Sequence, residues 1–354
     1  MIRAGKTTRR GLASLFAGAL AFGAVTGLAR GAAAEELHIY AWTGELPQAV
    51  IDDFQKETGV DVTIDTFDSN ESMIAKLGAG AVGYDLVNPS QYAVQILVKK
   101  GLLQELDHSK ITGINGLSPV FQSVSYDEGD RHALPYLWGT TGFAYNSDCV
   151  KEPISSWKSL WDEKYKGRIY MLDNMLAAYI AGLQVNGFKA TTSNPDEIAK
   201  ATQTLIDQKK LLAGYNSTNF PDLVSSGEAC IVEAWSGNVV QAMATNPKVH
   251  YVLPDEGGTK WIDSYAIPKG APDPEMAYKF LSYLTRPEVA AKVTTLSKEP
   301  TTIAKAKALL AADISGNGAI YPPEDKLAKA DFILDVGEAM KYYQDGWTKV
   351  KSAE

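Results

Sequence analysis

From Glu36 onward the hydrophobic period of the chain switches back and forth between two and about 3.6, and few architectures accept that order. Residues 36–40, ELHIY, read as a short strand, followed by the turn AWTGELP and the helical pattern QAVIDDFQKETG, which Gly59 closes. VDVTIDTF alternates like a strand, and SNESMIAKL reads as a helix capped by Ser69. YDLVNPS is a third strand, and AVQILVKKGLLQEL returns to helical spacing with a break at Gly101. This alternation predicts an α/β domain with a mainly parallel sheet. Ligands of such sheets collect at the carboxyl ends of the strands, which makes the loops AWTGEL and NPSQY candidate site segments.

GAGAVG at 78–83 satisfies G-x-G-x-x-G, yet it follows a helix and precedes a strand, the reverse of the order a dinucleotide site needs. It reads as a connecting loop. Around HALPYLWGTTGFAYN the chain becomes extended and aromatic, interrupted by Pro135, Gly139 and Gly142, and a second alternating region follows. That region holds GRIYML, NMLAAYIAGLQVNG, PDEIAKATQTLIDQKK, EACIVEAW and a helix beginning near Asn238. KVHYVLPDEGGTKWIDSYAIPKG then supplies a second extended crossing.

The expectation is two α/β lobes with a cleft between them, each lobe a mainly parallel sheet flanked by helices. Lobe 1 takes 35–140 plus about 264–305, and lobe 2 takes 141–263 with part of 306–354. Helices follow in PDPEMAYKFLSYLTRPEVAAKVTTLS, and a last one, KADFILDVGEAMKYYQDGWTKVK, is expected to dock across the lobes.

Residues 1–34 stand apart. Arg3, Lys6, Arg9 and Arg10 precede the apolar run LASLFAGALAFGAVTGLA and the small residues GAAA, which is the layout of an export signal cleaved near Ala34. TTRRGLASL carries a twin-arginine pair, so twin-Arg and ordinary secretory export both remain open. No later segment has the apolar length of a membrane span. Loss of five basic residues with the signal moves the formal charge from −8 to −13, which disfavours nucleic acid and suits a cationic ligand. Cys149 and Cys230 both lie in the exported part, where a bridge and two buried thiols are equally admissible.

Catalytic signatures are missing. His38, His108, His132 and His250 have no metal-ligand spacing, and G-x-S-x-G, H-E-x-x-H and the phosphate-loop pattern do not occur, so no metal or cofactor is expected. A secreted hydrolase with dispersed carboxylates is the competing class. Binding chemistry is better represented. In TKWIDSYAIPKG, Asp263 stands two residues from Trp261 and two from Tyr265, so a strand puts all three on one face. An amphipathic strand explains that pattern, and so does a pocket in which an acid and an indole receive an organic cation. Trp42, Tyr92 and Trp235 also fall where the expected cleft opens.

YAWTGELP, NPSQY, LPYLWGTTGFAYN, AWSGN, WIDSYAIPKGAPDPEMAYKFLSYLTRPEVA and EPTTIAKAKALL occur in the order seen in the spermidine/putrescine-binding proteins of bacterial ABC importers, and the chain resembles that family over essentially its whole mature length. The resemblance implies a type II periplasmic binding fold that closes on a primary amine, with a membrane permease as partner, a monomeric state and a periplasmic location. It places ligand contacts at Trp42, Thr43, Ser90 and Tyr92, aromatic walls at Trp235 and Trp261, and the principal amine-binding acid at Asp263. Some positions depart from the family. Gly44 replaces an acid although Glu45 follows, Ala177 stands where a second acid is expected, Glu299 replaces a tyrosine, and Ile333 replaces a late polar contact. Glu45, Glu299 or Asp173 are the candidates for a far-end acid. Putrescine or spermidine is the leading ligand, with an ω-amino acid such as γ-aminobutyrate or an opine-like amine as the alternative. A ferric-ion receptor using KYYQ as a tyrosine pair is a third reading.

Overall fold

The computed structural model describes residues 35–81 and 83–353; the expected export signal at 1–34 lies outside the described residues. The chain runs β1 (Glu36–Trp42), α1 (Gln48–Thr58), β2 (Asp61–Phe67), α2 (Asn70–Gly78), β3 (Leu86–Val87) and α3 (Gln91–Lys99), then the long strand β4 (Ala133–Asn146). A second series follows: β5 (Ile169–Met171), α4 (Met175–Gln184), α5 (Pro195–Lys209), β6 (Leu212–Tyr215), α6 (Phe220–Ser226), β7 (Ile231–Trp235), α7 (Ser236–Thr245) and β8 (Val249–Val252). The return strand β9 (Thr259–Ala266) leads into α8 (Pro274–Leu284) and α9 (Pro287–Ser297). Short α10 (Ala312–Ser315), α11 (Glu324–Leu327) and β10 (Asp331–Phe332) precede the final helix α12 (Met340–Ser352).

The strands share one sheet in the order β2-β1-β3-β9-β4-β7-β5-β6, with β10 on β9 and β8 on β4. β1 pairs in parallel with β2 and β3, and β5 pairs in parallel with β6 and β7. Between these two parallel sets lie β9 and β4, antiparallel to each other and to their outer neighbours. The two extended crossings are therefore neighbours in the middle of the sheet.

Local chemistry explains most boundaries. The Ser69 hydroxyl accepts from Ser72 N and caps α2, as the sequence predicts. Gly59 takes φ 72° and ends α1, a conformation that costs glycine little. β1 continues through Trp42, two residues beyond the predicted strand, because Ala41 and Trp42 stay in register with Thr66 and Phe67 of β2. α3 stops at Lys99, so LLQEL is not part of it; Gly101 at φ 66° turns the chain away. β4 is unbroken through Gly139 and Gly142, and its register shifts only between Pro135 and Leu137.

Each half has its own apolar cores. Leu37, Ile39, Phe54, Leu137, Tyr265 and Phe280 pack on one face of the first half, and Tyr40, Val87, Leu97 and Ile262 pack on the other. In the second half Phe143, Trp157, Tyr179, Leu205 and Ile231 form one core, and Ala144, Phe220, Val232 and Val239 the other. Of the stretch predicted as the last helix only Met340 onward is α-helical, since Asp331–Phe332 pairs as β10 with β9; that helix, α12, packs on α4 and α5, with Tyr343 against Tyr179 at 4.8 Å, and so docks on the second half rather than across both. Tyr343 is buried and donates its hydroxyl to Thr192 O at 2.8 Å, whereas Tyr342 beside it is exposed, so the two tyrosines of KYYQ do not face one site. Cys149 and Cys230 are joined by a disulfide with Cα atoms 5.4 Å apart. Among the described residues no helix is long and apolar enough to cross a membrane.

Candidate functional site

Strand pairing alone sets out the floor of the site. Along β4, Leu137 pairs with Asp263, Gly139 with Trp261 and Thr141 with Trp235. Alternate residues share a face, so Asp263, Trp261 and Trp235 rise from the same side of the central strands. An isolated antiparallel bridge between Leu137 and Thr301 brings the segment after α9 alongside, and its register sets Glu299 level with Gly139. The missing side chain of Gly139 is what lets the indole in. A Cβ there would lie 2.3 Å from Cζ2 of Trp261, and one on Gly237 would lie 2.5 Å from Cγ of Glu299.

Three carboxyl groups converge on this floor. Asp263 is only 8% exposed, and Ser90 Oγ donates to its Oδ1 at 2.5 Å. Ser90 is itself held by Asn70, whose Nδ2 donates to its Oγ at 3.0 Å. Burial pushes the Asp263 carboxyl up to about 6, against the opposing pull of Ser90, Glu45 and the Trp42 indole. Glu45, 7% exposed in the loop after β1, is held well above the usual carboxylate range by burial first and by Asp263 and Glu299 next. Glu299 is half-buried, and burial followed by the charge of Asp263 pushes it up to about 8. The three acids feel one another's charge, yet among the described residues no three metal-binding side chains are grouped to hold one ion.

Unpaired polar atoms crowd around these acids. Both carboxyl oxygens of Glu45, the indole nitrogens of Trp42 and Trp261, and the hydroxyls of Tyr136 and Tyr265 are buried without a hydrogen-bond partner. Glu45 lies close enough to both tyrosines for its charge to raise them further, after burial has already pushed them far up. Each such group costs about 1–3 kcal/mol when left unpaired, so a cluster of them marks a place built to receive hydrogen-bonding atoms.

The other expected contacts divide. Tyr92, buried on α3, donates to Glu71 Oε1 at 3.0 Å and packs with the core of the second half, so it spans the two halves. Trp235 closes β7 and meets Phe220 edge-on at 6.0 Å. Thr43 is exposed and donates to Asp68 Oδ1 at 3.0 Å, away from the acids. Asp173 is also exposed, paired with Lys351 at 2.7 Å, and is not brought to the other three carboxyls. Tyr136 was not singled out in the sequence. Its position in LPYLWGTTGFAYN, one of the segments that carry the resemblance, is the signal that marks it.

The sequence model for bacterial extracellular solute-binding proteins matches residues 49–322. The chain belongs to that family. Over 340 residues it is 34% identical to the spermidine/putrescine-binding periplasmic protein of Escherichia coli, covering 96% of this chain and 97% of the relative. It is 33% identical to the putrescine-binding periplasmic protein SpuD of Pseudomonas aeruginosa, covering 94% and 96%. The solved spermidine/putrescine ABC transporter substrate-binding protein PotD of Streptococcus pneumoniae superposes with a TM-score of 0.80 at 28% identity, covering 90% of this chain and 99% of that one. The family fold is thus the two-lobe, type II periplasmic binding fold, as the resemblance implied.

Proposed function

We propose that this family member is a periplasmic solute receptor, not an enzyme, that captures putrescine or spermidine between its lobes and delivers it to the permease of an ABC importer. The observation that carries this reading is the convergence of Asp263, Glu45 and Glu299 beside the indoles of Trp42 and Trp261, amid buried polar atoms that lack partners. An ammonium supplies what that site lacks, which is positive charge and several N–H donors. Asp263 takes the ammonium directly, Ser90 fixes the carboxylate, and the rings receive the methylene stem and the fringe of positive charge.

Magnitudes are compatible. Cation–aromatic contacts contribute about 0.5–2 kcal/mol each and charge-assisted hydrogen bonds about 1.5–3, against the roughly 8 kcal/mol of a micromolar complex after binding costs. The lobe boundaries, 35–140 with about 264–305 and 141–263 with part of 306–354, are part of this reading, although Ile262 packs in a core of the first half, and α12 is taken with the second lobe. The acidic mature charge and the export signal fit the periplasm, reached by either export route.

A carboxylate-bearing ligand such as γ-aminobutyrate or an opine would want an arginine. All three arginines among the described residues are engaged elsewhere: Arg131 with Glu105, Arg168 with backbone carbonyls of Gly227 and Glu228, and Arg286 with Glu57. That favours the polyamine. Isothermal titration with putrescine and spermidine tests the proposal, with Asp263→Asn expected to weaken binding by about 2–3 kcal/mol, at least tenfold. Unchanged affinity in that variant refutes the role given to Asp263.

A further inference from the structure

The register of β4 sets a second acid across from Asp263. Since β9 occupies one edge of β4, the segment bridged at Leu137–Thr301 lies along the other, the edge that β7 takes further on. Trp138 N donates to Pro300 O and Thr302 N to Tyr136 O, which fixes that pairing. Asp263, Leu137 and Thr301 therefore form one row, and Trp261, Gly139 and Glu299 form the next. Two strand spacings of about 4.8 Å and a shift of two residues at about 3.4 Å put the Cα atoms of Asp263 and Glu299 roughly 12 Å apart. The Trp261 ring lies over bare Gly139, between the two acids.

Glu299 also meets the second half. Trp235, level with Thr141, stands two residues along the same edge of β4, about 7 Å away. Glu299 lies against Gly237 in the first turn of α7, where a Cβ would come within 2.5 Å of its Cγ and 2.9 Å of its Oε1. The side chain is half-buried and feels the charge of Asp263, and among the described residues its carboxyl has no hydrogen-bond or ion-pair partner. Glu45 belongs to the other end, because the charge of Asp263 acts on it before that of Glu299. Asp173, exposed and already neutralised by Lys351, does not compete.

We propose that Glu299, between the indoles of Trp261 and Trp235, is a second cation subsite that takes the far nitrogen of a linear polyamine whose near nitrogen sits at Asp263. The assignment rests on the polyamine reading and deepens it by naming the acid that reads the second charge. An extended four-carbon diamine holds its nitrogens about 6 Å apart, and a charge-assisted hydrogen bond of about 2.8 Å at each end lets it bridge carboxyl oxygens up to about 12 Å apart. The roughly 12 Å between the two Cα atoms, with both side chains on one face, matches that reach. The methylenes then cross the Trp261 ring, and each ammonium meets an indole beside its carboxylate. With walls from β9, the segment after α9 and the start of α7, the far nitrogen binds where the two halves meet.

The test is a thermodynamic cycle that removes one charge from the protein and one from the ligand. Putrescine and 4-aminobutan-1-ol, which differ by an ammonium against a hydroxyl, are titrated into the full protein and into Glu299→Gln. The wild type should prefer the diamine by at least about tenfold, and the variant should bind the two within about threefold. A variant that keeps the wild-type preference overturns the subsite, whether or not its overall affinity falls. Glu45→Gln changes an acid at the Asp263 end instead, so it should weaken both ligands and keep most of the preference. A loss of preference there equal to that of Glu299→Gln means that the summed field of the acids reads the second charge, and it also overturns the subsite. Should Glu299→Gln not fold, Glu299→Ala is read the same way. A wild type that binds both amines equally refutes the subsite alone, whereas one that binds no amine overturns the polyamine reading with it.

Discussion

Glu233 offers a measurement of stability that needs no ligand. Burial pushes its carboxyl up to about 8 from the 4.5 of an unperturbed glutamate, with only the Leu172 hydrogen bond opposing. Between those values the folded protein keeps a proton that the unfolded chain has released, so stability must fall as pH rises. The contribution is complete below the unfolded value and is lost as pH climbs through the folded one. From about pH 5.5 to about pH 7.5 the loss from this single group is about 2.5 kcal/mol, at close to 1.4 kcal/mol per unit over most of the interval. Glu233→Gln keeps the shape and the acceptor for Leu172 N but cannot ionise, so its stability should lack that decline. Glu45, Asp263 and Glu299 are present in both proteins, and their own pH dependence cancels in the comparison. Urea unfolding of ligand-free wild type and variant at the two pH values, followed by circular dichroism, yields the difference directly. Parallel losses in the two proteins would mean that Glu233 is already ionised in the fold, which refutes the argument from burial.

Two further outcomes follow from packing and covalent structure. Replacing both Cys149 and Cys230 by alanine opens a loop of 81 residues and should cost about 4.5 kcal/mol by the loop-closure relation, read as a lower urea midpoint; an unchanged midpoint counts against that relation here. Gly139→Ala pushes a methyl group into the ring of Trp261, so putrescine affinity should fall at least about tenfold while stability drops by roughly 1–3 kcal/mol; full affinity in a folded variant rules out the indole as a wall of the site.

The strands, helices and loops of the first half were readable because each is written in local chemistry. The Ser69 cap, the Gly59 stop and the loop at GAGAVG needed no distant partner to interpret. Asp263 was also legible, since a period of two puts it beside Trp261 on any strand. The choice among far-end acids was harder. Glu45 and Glu299 look like ordinary loop acids in the sequence, and only the fold turns them toward Asp263. Asp173 carries the same charge next to a resemblance segment and ends up on the surface with Lys351. Glu233 left one trace, a charged residue inside the apolar strand IVEAW, where full burial is rare without a partner.

Period, caps and turn residues depend on neighbours a few positions away, and so the chain alone determined an α/β architecture with two series of strands and the place where an acid and indoles share a face. Which carboxyls meet, which tyrosines lose their partners and which cysteines join depend on the register of β4 against β9 and β7 and on loops more than a hundred residues apart. Those pairings raise the acids' pKa values through burial and mutual charge, and neither quantity exists until the chain has folded.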